Sequence, residues 1–461
     1  MEMKEPGSIS SLASLGVGEF RGPDGPVPSR FLADSRLVRK GDAFVAFRGE
    51  TTDGHSFIPD AVSRGASLIL CEDRDGVPES TASIRVENMV RDLPEMARRR
   101  LEAAGGMELV AVTGSVGKTT TREMLRNCLA TSFRVHAAEH SYNTLIGCAL
   151  AVLSLPPGTD ILILEMGTSH PGEIRETVKF FPPTIALVTE VAEAHLEGLG
   201  SLEGVLDAKL EIAESPRLKA FFFNGDNPSL LARSASLPSS VLRFSVGKGE
   251  NDFRIQNPEY SLHHGASRLA FDFSYPGGMF SVISGLFGIH SAYPLGFALA
   301  VSFYLGASRD RVAEELEKLV PIAGRGRTVE LPSGILLIDD AYNANPASMR
   351  ASLAEVARLP GDRKVAVLGE MRELGERSLS RHGDMVPLFR GYRRIYLTGE
   401  MWKRYLDERG DIPDAVYVDD LEALGRRLRA ELESGDVLLV KGSHGNRLDR
   451  LVTFLEKGET R

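Results

Sequence analysis

The stretch Thr113-Gly114-Ser115-Val116-Gly117-Lys118-Thr119-Thr120 (TGSVGKTT) follows the apolar run ELVAV at 108–112 and precedes the helix-forming segment TREMLRNCLA at 121–130. Glycines on a turn between strand and helix let backbone N–H groups approach phosphate oxygens. Lys118 then brings positive charge to β- and γ-phosphates, and Thr119 offers a hydroxyl to Mg²⁺. The flanking elements carry this reading, because the general spacing G-x-x-x-x-G-K-[ST] is not met: Val112 stands where its first glycine belongs. Gly114, Ser115, Val116, Gly117, Lys118, Thr119 and Thr120 are the expected phosphate contacts, although Thr120 also reads simply as a first-turn helix residue.

The strand before the loop is one of a series. DILILEMG, TIALVTE, AFFFNGD, ILLIDDAYN, KVAVLGEM, RIYLTGE and DVLLVKGS are short Val-, Ile- or Leu-rich runs, each ending on Gly or a polar residue. Separated by helical segments, they predict buried parallel strands in α/β domains, whose ligands lie beyond the strands' carboxyl ends. Residues 253–285, broken at Tyr275-Pro276-Gly277-Gly278, read as an antiparallel hairpin insertion. The apolar stretch 293–305 contains Pro294 and Gly296 and falls short of the ~20 residues of a membrane span. It predicts a buried helix.

At 461 residues the chain exceeds one ordinary core, and domains of ~100–200 residues make three the expected number. Gly105-Gly106 and the segment PIAGRGR at 321–327 mark the expected boundaries, giving 1–106, 107–322 and 323–461. A hydrophobic fraction of 43% with 25% charged residues fits a soluble globular protein. The net charge of −9 argues against nucleic acid or an anionic membrane surface as the main partner. Cys71, Cys128 and Cys148 have no metal-ligand spacing and are too few for a disulfide framework, and the N-terminus has no apolar signal segment. A reduced, cytoplasmic setting is expected.

Several polar residues stand at the strand ends. Glu165 closes DILILE, where an acid beside a phosphate loop commonly holds Mg²⁺ but also serves simply to end a strand. His195, in EVAEAHLEGLGS, is by itself more ordinarily a structural hydrogen-bonding residue. Lys209 lies in GVLDAKLEIAE between Asp207 and Glu211, at a spacing that makes neither its helix neighbour, so it reads as an exposed helix lysine. Asp339-Asp340-Ala341-Tyr342-Asn343-Ala344-Asn345-Pro346 ends another strand. A helix cap explains Asn345, while the remaining acids and amides suit ribose hydroxyls and a phosphoryl group. Arg327 is placed to bring a bidentate donor to phosphate from the domain boundary.

Taken together, TGSVGKTT, LEMGTSHPGEI, AHLEGLGS, DAKLEI, the N-G-D-N at 224–227, the GR at 326–327 and the KGS at 441–443 resemble the motifs of the Mur ligases, ATP-dependent amide-bond ligases of peptidoglycan precursor synthesis. DDAYNANPASM and LGEMRELG resemble the C-terminal motifs of the member that adds D-alanyl-D-alanine to a UDP-N-acetylmuramoyl tripeptide. DSRLVRKGDAFVAFRGETTDGHSF resembles its uridine-nucleotide-binding segment. The resemblance covers nearly the whole chain. It implies a small α/β UDP-substrate domain, a central ATP-binding domain with a parallel sheet and hairpin insertion, and a C-terminal Rossmann-like ligase domain.

The same resemblance implies that Lys118 meets the γ-phosphate and that Thr119 and Glu165 bind Mg²⁺, while His195 helps hold a second metal. Lys209 matches the lysine that the family carbamylates with CO₂, which reverses the reading from spacing. Arg327, Asp340, Asn343 and Asn345 match nucleotide-contacting positions. Ser35, Arg36 and His55 fall in the uridine segment, and Asn143 and Thr144 fall in the substrate motif N-N-x-x-G. The implied partners are small molecules, with neither nucleic acid nor membrane insertion, and the chain is expected to be a monomer.

Departures are local. The family's H-N-x-x-N reads His290-Ser291-Ala292-Tyr293-Pro294, removing both amides from the expected adenine contact. Asn143-Thr144-Leu145-Ile146-Gly147 replaces N-N-x-x-G, Glu190 stands for a common Asn, and His444 follows KGS where Arg is usual. A regulatory phosphate-loop NTPase is the competing reading from another class. It leaves the uridine-like segment unexplained. A sibling ligase adding the third amino acid would carry a D-[NDE]-P-R type motif, which the sequence lacks.

Overall fold

The computed structural model describes residues 5–15, 17–49, 52–138, 142–263, 265–359 and 363–457. Three sheets follow one another along the chain. The first has five strands in the order Glu19–Arg21, Ala82–Arg85, Leu68–Cys71, Ala43–Val45, Phe31–Leu32, parallel except for the first. The second has nine and the third six.

All eight apolar runs form parallel strands. In the central sheet, Glu108–Thr113 lies between Ile161–Glu165 and Ile185–Val188, so the chain crosses over it between those two neighbours. Such a crossover is a topological switch point, where the loops diverge and leave a crevice beyond the strands' carboxyl ends. The phosphate loop opens there. On the far side the sheet continues through Ala220–Asn224 and Leu242–Gly247 to the antiparallel strands Phe253–His263, Ala266–Tyr275 and Gly278–Ser284. The expected hairpin insertion is therefore a three-stranded extension of the same sheet. The apolar stretch after it forms the helix Ala292–Tyr304, packed into the core with Leu295, Phe297 and Leu299 inaccessible to solvent.

The segment Gly105-Gly106 does not separate two cores. Val45, Leu70 and Ile84 of the first sheet belong to one apolar cluster with Met96 of the helix Met89–Ala104, Cys148 of the helix Leu145–Leu153 and Leu164 of the central sheet. Arg100 is buried in this cluster and donates to the carbonyls of Leu153 and Leu155. Those carbonyls lie at a helix C-terminus, where backbone acceptors lack intrahelical partners and a cation is favoured. Burial pulls the Arg100 guanidinium down to about 10.

The C-terminal sheet runs Arg327–Glu330, Leu336–Asp340, Val437–Lys441, Lys364–Gly369, Arg394–Thr398, Ala415–Tyr417, parallel except for its first strand. It begins from a turn pinned at both ends: Gly324 N donates to Asp339 Oδ2 at 2.8 Å and Gly326 N to the Asp339 carbonyl at 2.9 Å. Both glycines are left-handed, at φ 74° and 77°, and side chains there would meet Tyr342 and Phe287.

Candidate active site

The loop after Glu108–Thr113 is clamped by its neighbour strand. Ser115 N donates to the Glu190 carbonyl at 2.7 Å, the Ser115 hydroxyl to the Ala192 carbonyl at 2.8 Å, and the Thr189 hydroxyl to the Val116 carbonyl at 2.6 Å. Gly114, at φ 146°, is tight enough that a Cβ would sit 2.0 Å from Thr189 Oγ1. Gly117 is left-handed and opens the helix Lys118–Ala130 without a side-chain cap, leaving its first amides for an acceptor from outside. Lys118 folds back to donate to the Gly114 carbonyl at 2.9 Å.

Register brings Glu165 opposite Val112, hence level with the loop. Its carboxylate, 2% exposed, accepts the Thr119 hydroxyl at 2.9 Å and lies 3.8 Å from Arg122. Arg325 donates to Thr119 Oγ1 at 3.0 Å while its guanidinium stacks on the Tyr342 ring, 4.2 Å from the centroid. Three cations, Lys118, Arg122 and Arg325, thus surround one buried carboxylate. Burial and the nearby Arg325 cation weaken the hold of Lys118 on its proton. Such a focused positive field in a crevice attracts an anion.

Lys209 is fully buried on the helix Leu202–Leu210, and Nζ has no hydrogen-bond partner among the described residues. Its sequence neighbours are occupied elsewhere: Glu211 accepts from Gly172 N and Arg175 N at 2.8 and 3.0 Å, and Asp207 pairs with Arg233. Burial first, and the Lys118 charge second, depress the Lys209 pKa well below that of an ordinary lysine. The exposed helix lysine read from spacing is therefore wrong, because tertiary packing covers that face of the helix. His195, left-handed at φ 53°, has Nδ1 2.6 Å from Glu373 Oε2 of the C-terminal domain and 3.5 Å from Ser169 Oγ. Among the described residues no group of three or more His, Cys, Asp or Glu forms a ready metal site. The hydroxyl of Thr119 and carboxylate of Glu165 form a hard oxygen pair of the kind that would suit Mg²⁺.

The C-terminal domain contributes Asn345, whose amide approaches the Ser115 carbonyl at 3.4 Å while its oxygen caps the helix Pro346–Arg358. Asp340 and Lys441 share one level of adjacent strands and pair at 2.6 Å. Asp340 also accepts from Ser352, and the Asn343 carbonyl accepts from Lys441 at 3.3 Å. Arg327 is a correction. It pairs with Asp339 at 3.3 Å and Glu456 at 2.6 Å, whereas Arg325, two residues earlier, reaches the loop. Asp339 is spent on the turn as well, so the doubled aspartate is half structural.

Beside the loop, a cavity of about 700 Å³ has Lys118 and His195 in its lining. Asn143, Thr144, Gly167, Thr168 and Glu173 also line it, as do Asn88, Val90 and Arg91 of the N-terminal domain. Ser35, Arg36 and His55 do not. Ser35 hydrogen-bonds Asp60, Arg36 pairs with Asp34 at 2.7 Å, and His55 lies between Asp53 and the amide of Glu72. On the opposite side of the loop, Glu190 takes the amides of Asn224 and Asn227, and the Tyr293 hydroxyl donates to Asp226 at 2.7 Å.

Family models match three consecutive parts of the chain: the Mur ligase family catalytic domain over 31–103, the Mur ligase middle domain over 112–302, and the Mur ligase glutamate ligase domain over 324–444. The chain belongs to the Mur ligase family. It is 31% identical to the UDP-N-acetylmuramoyl-tripeptide–D-alanyl-D-alanine ligase of Escherichia coli, over 98% of this chain and 99% of that protein. The enzyme of the same name from Bacillus subtilis is 29% identical over 97% and 98%. Among solved structures, the MurF ligase of Thermotoga maritima in complex with ADP superposes with a TM-score of 0.77 at 31% identity, covering 93% and 97% of the two chains. MurF from Acinetobacter baumannii gives 0.81 at 26% identity over 99% and 100%. No helix among the described residues is long and apolar enough to cross a membrane.

Proposed function

We propose that this Mur ligase joins D-alanyl-D-alanine to a UDP-N-acetylmuramoyl tripeptide, with ATP as the activating cosubstrate. Full-length similarity to ligases of that name supports the reaction. One observation supports where it happens: beside the cation-ringed Thr119–Glu165 pair lies a cavity whose lining includes the loop's own Lys118 together with His195.

Nucleotide phosphates lie across the loop amides, with Lys118 turning from the Gly114 carbonyl to the γ-phosphate and Arg325 beside it. Asn345 and Asp340 meet the nucleotide from the C-terminal domain. The tripeptide enters the cavity with its terminal carboxylate toward Lys118, between walls from the N-terminal and central domains. A carboxylate oxygen attacks the γ-phosphorus and ADP leaves. Lys118 and Arg325 offset the repulsion between the two anions as they approach. The dipeptide amine then attacks the acyl carbon, loses a proton and expels phosphate, leaving the amide.

Thr119, Glu165, His195 and a modified Lys209 would hold Mg²⁺, which supplies charge neutralisation to the phosphates when bound. Buried and holding its proton less tightly than an ordinary lysine, the Lys209 amine is poised, once unprotonated, for that modification. Its nitrogen adds to the carbon of CO₂ and releases one proton, converting a buried orphan into an anionic oxygen ligand. On this reading the ligase works in the cytoplasm, as a monomer.

Release of phosphate from ATP tests the reading. It should require the UDP-muramoyl tripeptide and D-alanyl-D-alanine together; steady hydrolysis indifferent to either would favour the NTPase reading instead.

A further inference from the structure

The C-terminal domain touches the central domain through a second contact, away from the phosphate loop. Glu193, on the loop between the strand Ile185–Val188 and the short helix Leu196–Leu199, receives two arginines from the opposite domain. Arg381 binds both its oxygens, one at 2.7 Å, and Arg377 adds a bond at 2.9 Å. The pairing holds the Glu193 carboxyl below the usual range, first through Arg381. The arginines belong to the segment 375–383, whose turn at Gly375 comes within 3.7 Å of the Glu197 Cα, measured from the position of an added Cβ.

His195 lies between Glu193 and Glu197, and it meets Glu373, two residues before Gly375, at 2.6 Å. Both hold left-handed backbones, at φ 53° and 65°, and neither is glycine. A non-glycine residue in that region persists only where its surroundings over-determine it. Here two such residues from different domains face each other two positions from Glu193. A side chain two residues along a loop, gripped from across the interface by a forked pair of guanidinium groups, fixes both register and separation. Exposed single ion pairs contribute little, but a partly buried carboxylate shared by two arginines is a network.

We propose that Glu193, Arg377 and Arg381 are positioning residues that set the closed arrangement of the C-terminal domain, bringing Glu373 to His195 and Arg325 to Thr119. None of the three touches the loop or lines the cavity. The kinetic part of this inference rests on the ligase reading; the structural part does not.

The test combines solution scattering with turnover on the full chain. Glu193→Gln and the double variant Arg377→Gln/Arg381→Gln should each enlarge the radius of gyration measured with ADP and the tripeptide present. Each should also lower kcat/KM for D-alanyl-D-alanine about tenfold, the factor that 1.4 kcal/mol represents. The KM for the tripeptide, held by the other two domains, should stay unchanged. Reversing the charges together, Glu193→Arg with Arg377→Glu and Arg381→Glu, should restore both compaction and turnover. The proposal is overturned if scattering and turnover do not move together, or if the folded reversed variant is no better than Glu193→Arg alone. Should the wild type make no amide, scattering still decides the closure contact, and only the reaction is lost.

Discussion

Lys209 shows what a sequence leaves out at the residue scale. Its local neighbours explain nothing, since Asp207 and Glu211 are engaged elsewhere, and its burial comes from packing between elements distant in the chain. Lys209→Ala should abolish ligation, and short carboxylic acids that fill the vacated space should restore part of it. Unchanged activity without such an additive would rule out the carbamate. Lys209→Met should instead raise stability in bicarbonate-free buffer, by about 1–3 kcal/mol, because an unpaired buried amine is replaced by an apolar group of similar length. Urea denaturation of the two proteins checks this. The two arginines make a parallel point. Arg325→Ala should lower kcat by about 10²–10³, the loss typical when a preorganised charge donor is removed. Arg327→Ala should cost stability by leaving the buried Asp339 charge without its ion-pair partner, and should leave kcat nearly intact. Which arginine faces the loop was unreadable because Gly326 adopts a left-handed turn between them, which breaks the regular alternation of an extended chain.

At the scale of elements, legibility followed burial. Every apolar run became a parallel strand, since strands covered on both faces need an uninterrupted hydrophobic sequence. Val135–Ala137, Ala415–Tyr417 and Arg327–Glu330 are only half-buried and carry no such run, so they stayed hidden. The phosphate loop was legible from its context, because a strand, a glycine turn and a helix constrain one another. Its clamp was not: Thr189 and Glu190 approach only once the neighbouring strand is paired. Gly114→Ala should therefore be costly in two ways. It drives a methyl group into Thr189 and shifts the Ser115 amide, with a destabilisation of about 1–3 kcal/mol by overpacking and a loss of ADP affinity measurable by calorimetry. Asn345→Ala should cost about 0.5–2 kcal/mol through loss of a helix cap, and should also weaken ADP binding.

For the molecule as a whole, the arrangement explains why three domains are needed for one bond. The N-terminal and central domains share a core and together wall the cavity, while the C-terminal domain meets the central one through polar contacts at the carboxyl edges of the sheets and a small apolar joint of Phe287, Tyr260 and Leu262. A wide shared core suits a fixed substrate cradle, and a small joint flanked by polar contacts suits a domain that must open and close each cycle. The motifs dispersed over all three domains made the family recognisable, but the meeting of Glu193 with two distant arginines left no local trace. The most direct test of the account is mass spectrometry of the product when ATP and the UDP-muramoyl tripeptide are offered D-alanyl-D-alanine or single amino acids. The account predicts a product heavier by the dipeptide less one water, formed only with D-alanyl-D-alanine. Incorporation of a single amino acid, or consumption of ATP with no new amide, would contradict it.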